Sequence, residues 1–328
     1  MAEQPDTITA ASGSVDAGII AAKPPLRLSA AEHRRLARRF YLRRSAVGYL
    51  FILPNLIFFV VFLVYPLLSV IPLTFENGGI ISPAQWVGLQ NWQTVLNDPI
   101  FRQVITNTFE YSLMAISAVF IISFGLALLL ARVQNNRSTG LIRAALYFPT
   151  LTPVVVAALI WNFVVQPDFG ILNVGTHALG LGSTNWLGNT SLVLPAIAML
   201  EVWRGVGFWT LLYLAAILGL PRDLFQAAQL DGAGVWQRFI HLTLPLLRST
   251  FIFAVIWATI ANLQLFDSVF ILTDGGPGYS SGSIVWYIYR MLFQFNLPGV
   301  AASASLVLLL ITLVLVVVEL KLLRMRRR

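Results

Sequence analysis

No cysteine occurs in the 328 residues, lysine appears only as Lys23 and Lys321, and charged side chains make up just 11% of the chain. Without thiols there is no disulfide framework, no Cys-ligated zinc site and no iron–sulfur cluster. Neither lysine falls within G-x-x-x-x-G-K-[ST], so the chain cannot cradle nucleotide phosphates by itself. Soluble domains are about a quarter charged, which excludes a water-soluble globule. In place of charge the chain carries 57% hydrophobic residues, gathered in long runs.

A bilayer core of roughly 30 Å needs about 20 apolar residues at 1.5 Å each. Six runs satisfy this, at approximately 47–72, 110–131, 144–166, 191–219, 250–272 and 300–320. The first starts too far along and runs too long for a cleaved signal peptide, so it is expected to stay in the mature protein. Lys and Arg retain the loops that carry them in the cytoplasm. Counted over alternate segments they number nineteen against two, with Arg204 left inside a span. Both termini are therefore expected to be cytoplasmic. The net charge of +8 is a topology signal, because its basic residues are split among short pieces rather than gathered on one nucleic-acid-binding face.

Residues 1–28, rich in Ala, Ser, Gly and Pro, read as a disordered cytoplasmic tail. Ser29 with Glu32 forms a capping-box pattern that opens a basic amphipathic helix over 29–45. Residues 46–103 comprise the first span and an outer segment, 104–322 the transmembrane core, and 323–328 a basic tail.

One cytoplasmic loop stands out, PRDLFQAAQLDGAGVWQRFIHLTLPLL at 221–247. Asp223 and Gln226 have N-cap and N3 spacing, and Gly232 suits the left-handed position that closes a helix. Leu224, Ala227 and Ala228 form a small face on that helix. A second helical stretch aligns Trp236, Phe239, Ile240 and Thr243 on one face, with Pro245 marking entry to the fifth span. Such a short helix–turn–helix has little core of its own to bury and suits docking to a partner, or else lying on the membrane.

The loop resembles the EAA loop of ABC-importer permeases. Gln226-Ala227-Ala228, Asp231-Gly232 and Leu242-Thr243-Leu244-Pro245 keep its spacing, with Gln for Glu at 226 and Leu for Ile at 242. Further segments are similar to the binding-protein-dependent sugar permeases of maltose and multiple-sugar type: LFILPNLIFF and VYP in the first span, WVGLQNW at 86–92, LYFPTLTPVVVAALIW at 146–161, NWLGN at 185–189, VWRGVGFW at 202–209 and LTDGGPG at 272–278. The resemblance implies an all-α, six-span type I permease fold in a prokaryotic cell membrane. It implies a second homologous permease, two ATP-binding-cassette subunits that hold ATP and magnesium, and an extracytoplasmic solute-binding protein. The chain itself would bind no cofactor or metal. The implied cargo is a sugar or oligosaccharide, with glycerol-phosphate or another small polar solute as the alternative.

Polar residues within spans are the candidates for a substrate pathway, because an intramembrane charge costs roughly 2.5–3.5 kcal/mol on insertion scales. Glu201 and Arg204, three apart on the fourth span, can pair. Asn262, Gln264, Phe266 and Asp267 cluster in the fifth, where amide and carboxylate suit sugar hydroxyls and an aromatic ring suits their C–H faces, although hydrogen bonding between helices is the competing use. Trp161 and Asn162 in the third are weaker candidates. Gly278-Tyr279-Ser280-Ser281-Gly282 matches G-x-S-x-G but lacks the strand-to-helix setting of a nucleophile elbow. His33, His177 and His241 fall on opposite sides and cannot share a metal. A secondary transporter would use paired repeats and coupling carboxylates, and Glu201 is taken as the only carboxylate near a midplane.

Overall fold

The computed structural model describes residues 48–78, 83, 85–133, 137–180 and 182–325. The expected tail, the amphipathic helix with Ser29 and Glu32, His33 and residues 326–328 lie outside them. The described residues fall into two compact units that divide after Tyr65, within the first helix. That helix, α1 (Gly48–Leu73), has a π turn at Val60–Val64 and buries none of its most apolar stretch.

The remainder is helical apart from a two-residue antiparallel pairing, β1 (Glu76–Asn77) with β2 (Gln85–Trp86). Helix α2 (Gln90–Asn97) leads into α3 (Pro99–Arg132). Asp98 caps α3, its Oδ1 accepting from the Ile100 N–H at 2.8 Å, and Pro99 supplies a preset φ where no N–H is needed. The second span is thus longer than the apolar run at 110–131 foretells. At 34 residues α3 is about 51 Å long, and its polar first turns pack against protein instead of ending at the run's edge. Asn107 donates there to the carbonyls of Tyr279 and Gly282 at 2.8 and 3.1 Å.

The third run is two helices. α4 (Arg137–Leu151) and α5 (Val154–Val164) meet at 101°, because Pro153 at the α5 N-cap cannot donate into α4 and pushes Thr152 out of helical geometry. A short helix, α6 (Ile171–Ala178), leads toward α7 (Val193–Leu218), the unbroken fourth span. Next come α8 (Arg222–Leu230) and α9 (Val235–Leu246), which bends by 60° into α10 (Arg248–Leu263). The bend sits at Leu247, beyond Pro245, and a π turn at Phe239–Thr243 precedes the proline.

The fifth run is broken as well. α10 stops at Leu263 and α11 (Asp267–Leu272) begins afresh. The break frees the Leu265 carbonyl, which accepts from the Ser283 hydroxyl at 2.5 Å. α12 (Ile284–Tyr289), extended by a π turn to Gln294, and α13 (Pro298–Met325) complete the chain. Among the described residues four helices are long and apolar enough to cross a bilayer, and the bent pairs α4–α5 and α9–α10 bring the number to six.

The directions of the helices follow from side-chain pairs. Ser123 donates to the Val206 carbonyl, Phe120 packs on Trp209 and Phe124 on Tyr213, so α3 and α7 are parallel. Thr150 donates to the Arg204 carbonyl while Gly207 lies against the Leu146 carbonyl, so α4 is antiparallel to α7. Phe251 packs at a tilt on Tyr213 at 5.3 Å while Asn262 reaches the level of Glu201, which sets α10 antiparallel to α7 too. Arg248 donates to the Leu323 carbonyl and Thr259 to Glu319, so α13 opposes α10. The contacts use small residues, Ala115, Ala127, Ala254, Ala258 and Gly207, because lipid offers no hydrophobic drive and close backbone approach supplies the attraction.

Candidate functional site

Two places have functional geometry, the α8–α9 connection and a cavity between α3, α4, α7 and α10.

In the connection, α8 starts after Pro221, the N-cap, rather than at Asp223. The fixed φ of proline begins the helix two residues earlier than the Asp223–Gln226 spacing suggests, and Asp223 lies in the first turn, where its charge complements the helix dipole. The far end matches expectation. Gly232 adopts φ +79°, its N–H donates to the Gln229 carbonyl, and Ala233 donates to Ala228, which is the Schellman closure. After the turn the Gly234 N–H donates to Gln237 Oε1 at 2.7 Å, which caps α9.

No residue of α8 is buried. Gln226, Ala227, Asp231 and Gly232 are exposed, Ala228 half-buried. Leu230 is 90% and Trp236 74% exposed, large apolar side chains on a connection with no packing of its own. A groove of about 370 Å³ between α8 and α9 is lined by Ala228, Asp231, Gly232, Gln237 and His241. The expected single face of α9 divides. Phe239 and Thr243 pack inward while Trp236, edge-on to Phe239 at 5.8 Å, and Ile240 stay largely exposed, the π turn shifting the register after Phe239. Phe239 meets Phe124 of α3 at 6.1 Å, joining the connection to the bundle. His241 Nδ1 lies 3.0 Å from the Gln237 carbonyl within the same helix.

The second place is a cavity of about 190 Å³, lined by Thr150, Glu201, Arg204, Phe208, Trp257 and Asn262 with small residues between them. Arg204 Nη1 donates to Glu201 Oε2 at 2.7 Å, as the three-residue spacing on α7 predicts. The other carboxylate oxygen accepts from Ser268 Oγ of α11 at 2.5 Å. Asn262 donates to the Ala258 carbonyl, leaving its own oxygen to the cavity.

The structure thus brings Glu201, Arg204 and Asn262 together and leaves the other candidates outside that cavity. Gln264 and Asp267 are exposed at the break in the fifth span. Phe266 stacks on Phe270 and meets Tyr289 at a tilt, each at 5.2 Å. Trp161 stacks on Trp203 and donates to the Ala196 carbonyl, and Asn162 accepts from Gln166. Thr150, Trp257 and Ser268 were not singled out by sequence, since each is an ordinary residue until the helices meet. Glu319, at the end of the last apolar run, accepts from Thr259 Oγ1 at 2.7 Å.

The G-x-S-x-G segment is structural. Ser280 donates to the Pro277 carbonyl and Ser281 to that of Gly276, both at 2.6 Å, in a loop folded around the fully buried Trp286. Gly275, at φ +82°, is required there because a Cβ would strike the Trp286 ring, whose Nε1 donates to Asp274 at 2.9 Å. His177 instead lines a separate cavity with Asp168 and Asn173.

A bundle of crossing helices with an exposed helix pair between two of its spans and a polar internal cavity fits a membrane transport component. Residues 123–327 match the family model described as binding-protein-dependent transport system inner membrane component. The chain belongs to that family and is a multi-pass plasma-membrane permease rather than an enzyme. It is 34% identical to the trehalose/maltose transport system permease protein MalF of Thermococcus litoralis over 76% of this chain and 84% of the relative. It is 31% identical to the lactose transport system permease protein LacF of Rhizobium radiobacter, over 83% of this chain and 90% of that one. Among solved structures it resembles a chain of a bacterial ABC transporter involved in the import of the acidic polysaccharide alginate. That chain has a TM-score of 0.77 and 24% identity, with 90% of this chain and all of the other covered, a likeness of fold.

Proposed function

We propose that this permease forms half of the translocation pathway of an ATP-driven importer for a sugar or oligosaccharide. Its partners are a second homologous permease, two ATP-binding-cassette subunits and an extracytoplasmic solute-binding protein. The observation that carries the proposal is the α8–α9 connection, a capped helix pair with Leu230 and Trp236 bare and the EAA-type spacing around Gly232. The connection docks on an ATPase subunit, and Phe239 against Phe124 passes its movement to α3. Gln226, Ala227, Ala228, Asp231, Gly232 and Pro245 make the coupling segment. ATP and magnesium stay on the partner subunits, in keeping with a sequence whose two lysines lie in no nucleotide-binding motif.

Sugar as cargo is supported by the relatives named for maltose and lactose and by a cavity pairing hydrogen-bonding groups with the rings of Phe208 and Trp257. Glu201, Arg204 and Asn262 lie on the pathway, while Trp161, Asn162, Gln264, Phe266 and Asp267 are assigned to its outer approach. A phosphate ester fits less well, because Glu201 neutralises the charge of the cavity's one cation, Arg204. Both termini are assigned to the cytoplasm by the bias of Lys and Arg, nineteen against two over alternate segments.

Replacing Gly232 with Val tests the coupling. The residue has open space around it, so the change acts through φ +79° alone, a strain of about 1–2 kcal/mol for a branched residue. Uptake should be abolished and co-purification with the ATPase weakened. Unchanged uptake and association would remove the basis for the proposal.

A further inference from the structure

The cavity described above is lined by one cation and one anion, and they pair through Arg204 Nη1, while the buried Arg204 Nε has no hydrogen-bond partner among the described residues. Arg204 reaches Glu201 at 2.7 Å, and Ser268 holds the second carboxylate oxygen at 2.5 Å from a different helix. Ser268 is completely buried, so its hydroxyl has nowhere else to turn. The Glu201 carboxylate is therefore held from two sides. The remaining polar wall is neutral, Thr150 and Asn262.

We infer that Glu201 is a specificity-determining residue. It keeps the cavity electrically neutral by reserving Arg204, and so restricts passage to uncharged saccharides. This rests on the proposed function of the cavity as part of a sugar pathway. A neutral sugar gains from the arrangement, since the pair offers a donor and an acceptor side by side to adjacent hydroxyls and the rings of Phe208 and Trp257 face its C–H surfaces. An acidic sugar meets the opposite situation. Its carboxylate would have to compete for Arg204 against a counter-ion already in hydrogen-bond contact, while lying beside that counter-ion's charge in surroundings that screen it poorly. With Glu201 neutral, the same cavity has a net positive charge and an available guanidinium, the fork that binds carboxylates.

The test is direct binding to the detergent-solubilised permease–ATPase assembly without its solute-binding protein, read by isothermal titration and by tryptophan fluorescence, to which Trp257 and Trp209 in the cavity contribute. Maltose is the neutral probe and digalacturonate the acidic one. Wild type should respond to maltose and not to digalacturonate. Glu201→Gln keeps the shape and the bond to Ser268, and should gain digalacturonate affinity by about tenfold or more. Asn262→Lys adds positive charge from the facing helix without touching α7 and should show the same gain, which guards against poor assembly of the first variant. Response to both probes in wild type, or no gain for digalacturonate in either variant while maltose still binds, overturns the specificity role and leaves the sugar pathway standing. No response of wild type to either probe removes the pathway reading itself, and the specificity role with it.

Discussion

At the scale of single residues, the groups that matter are those held by partners far away in sequence. Tyr287, in the connection between α11 and α13, donates to Asp98 Oδ2 at 2.7 Å, and the other oxygen of Asp98 caps α3. Burial first, then the bond to Asp98 and its negative charge, push the phenol well above its usual value of 10.0. The folded chain keeps this proton where the unfolded chain releases it. The contribution is complete below about pH 10 and is lost as pH rises beyond. Thermal stability in detergent should therefore fall above about pH 10, and Tyr287→Phe should flatten that dependence. Equal slopes for both proteins would dismiss the account. The Glu201–Arg204 pair offers a second check. Arg204→Met strands a carboxylate and should cost about 1–3 kcal/mol, more than the double change with Glu201→Gln. A double-mutant cycle on unfolding midpoints measures it.

What sequence shows of these sites depends on how local they are. Gly232 was legible because a Schellman turn is written within six residues, Ala228 to Ala233. Glu201 with Arg204 was legible because three residues of helix bring them together. Ser268 was not, since its contact with Glu201 spans 67 positions and exists only because the fifth span breaks beside it. Glu319 was hidden at the tail of an apolar run, where a charge passes for the end of a membrane segment.

At the scale of elements, hydropathy locates the spans and does not reveal their breaks. The bend at Pro153 has a local cause, whereas the break at Gln264–Phe266 is completed by Ser283, which accepts from Trp286 N–H while donating to Leu265. The crossing of α4 and α7 is equally non-local. A Cβ on Gly207 would fall on the Leu146 carbonyl, so Gly207→Val should separate the helices or overpack them at a cost of about 1–3 kcal/mol. Gly205, whose Cβ would meet only Val119 and Trp209 at ordinary distances of 3.5 Å and beyond, is the control and should accept alanine. Expression and monodispersity after detergent extraction distinguish the two positions, and equal behaviour would contradict the crossing.

At the scale of the whole molecule, the lack of cysteine is an experimental advantage. Any thiol introduced is the only one, so the proposed orientation can be mapped directly. Gln229→Cys on α8 should react with an impermeant maleimide in inside-out vesicles and stay unlabelled in intact cells with a permeable outer layer. Asp168→Cys, in the connection between α5 and α6, should behave the opposite way. The same pattern for both would place them on one side and refute the topology.

The bare face of α8 and α9 also bears on the lifetime of the chain. Leu230, Val235 and Trp236 are apolar side chains left uncovered by the chain that carries them, the kind of surface that chaperones and membrane proteases recognise as unfinished. In the proposed assembly an ATPase subunit covers this face. Copies made in excess of their ATPase would keep it displayed and be degraded first, so that abundance of the permease follows supply of its partner. The segment that transmits the power stroke would then also report whether the engine is attached.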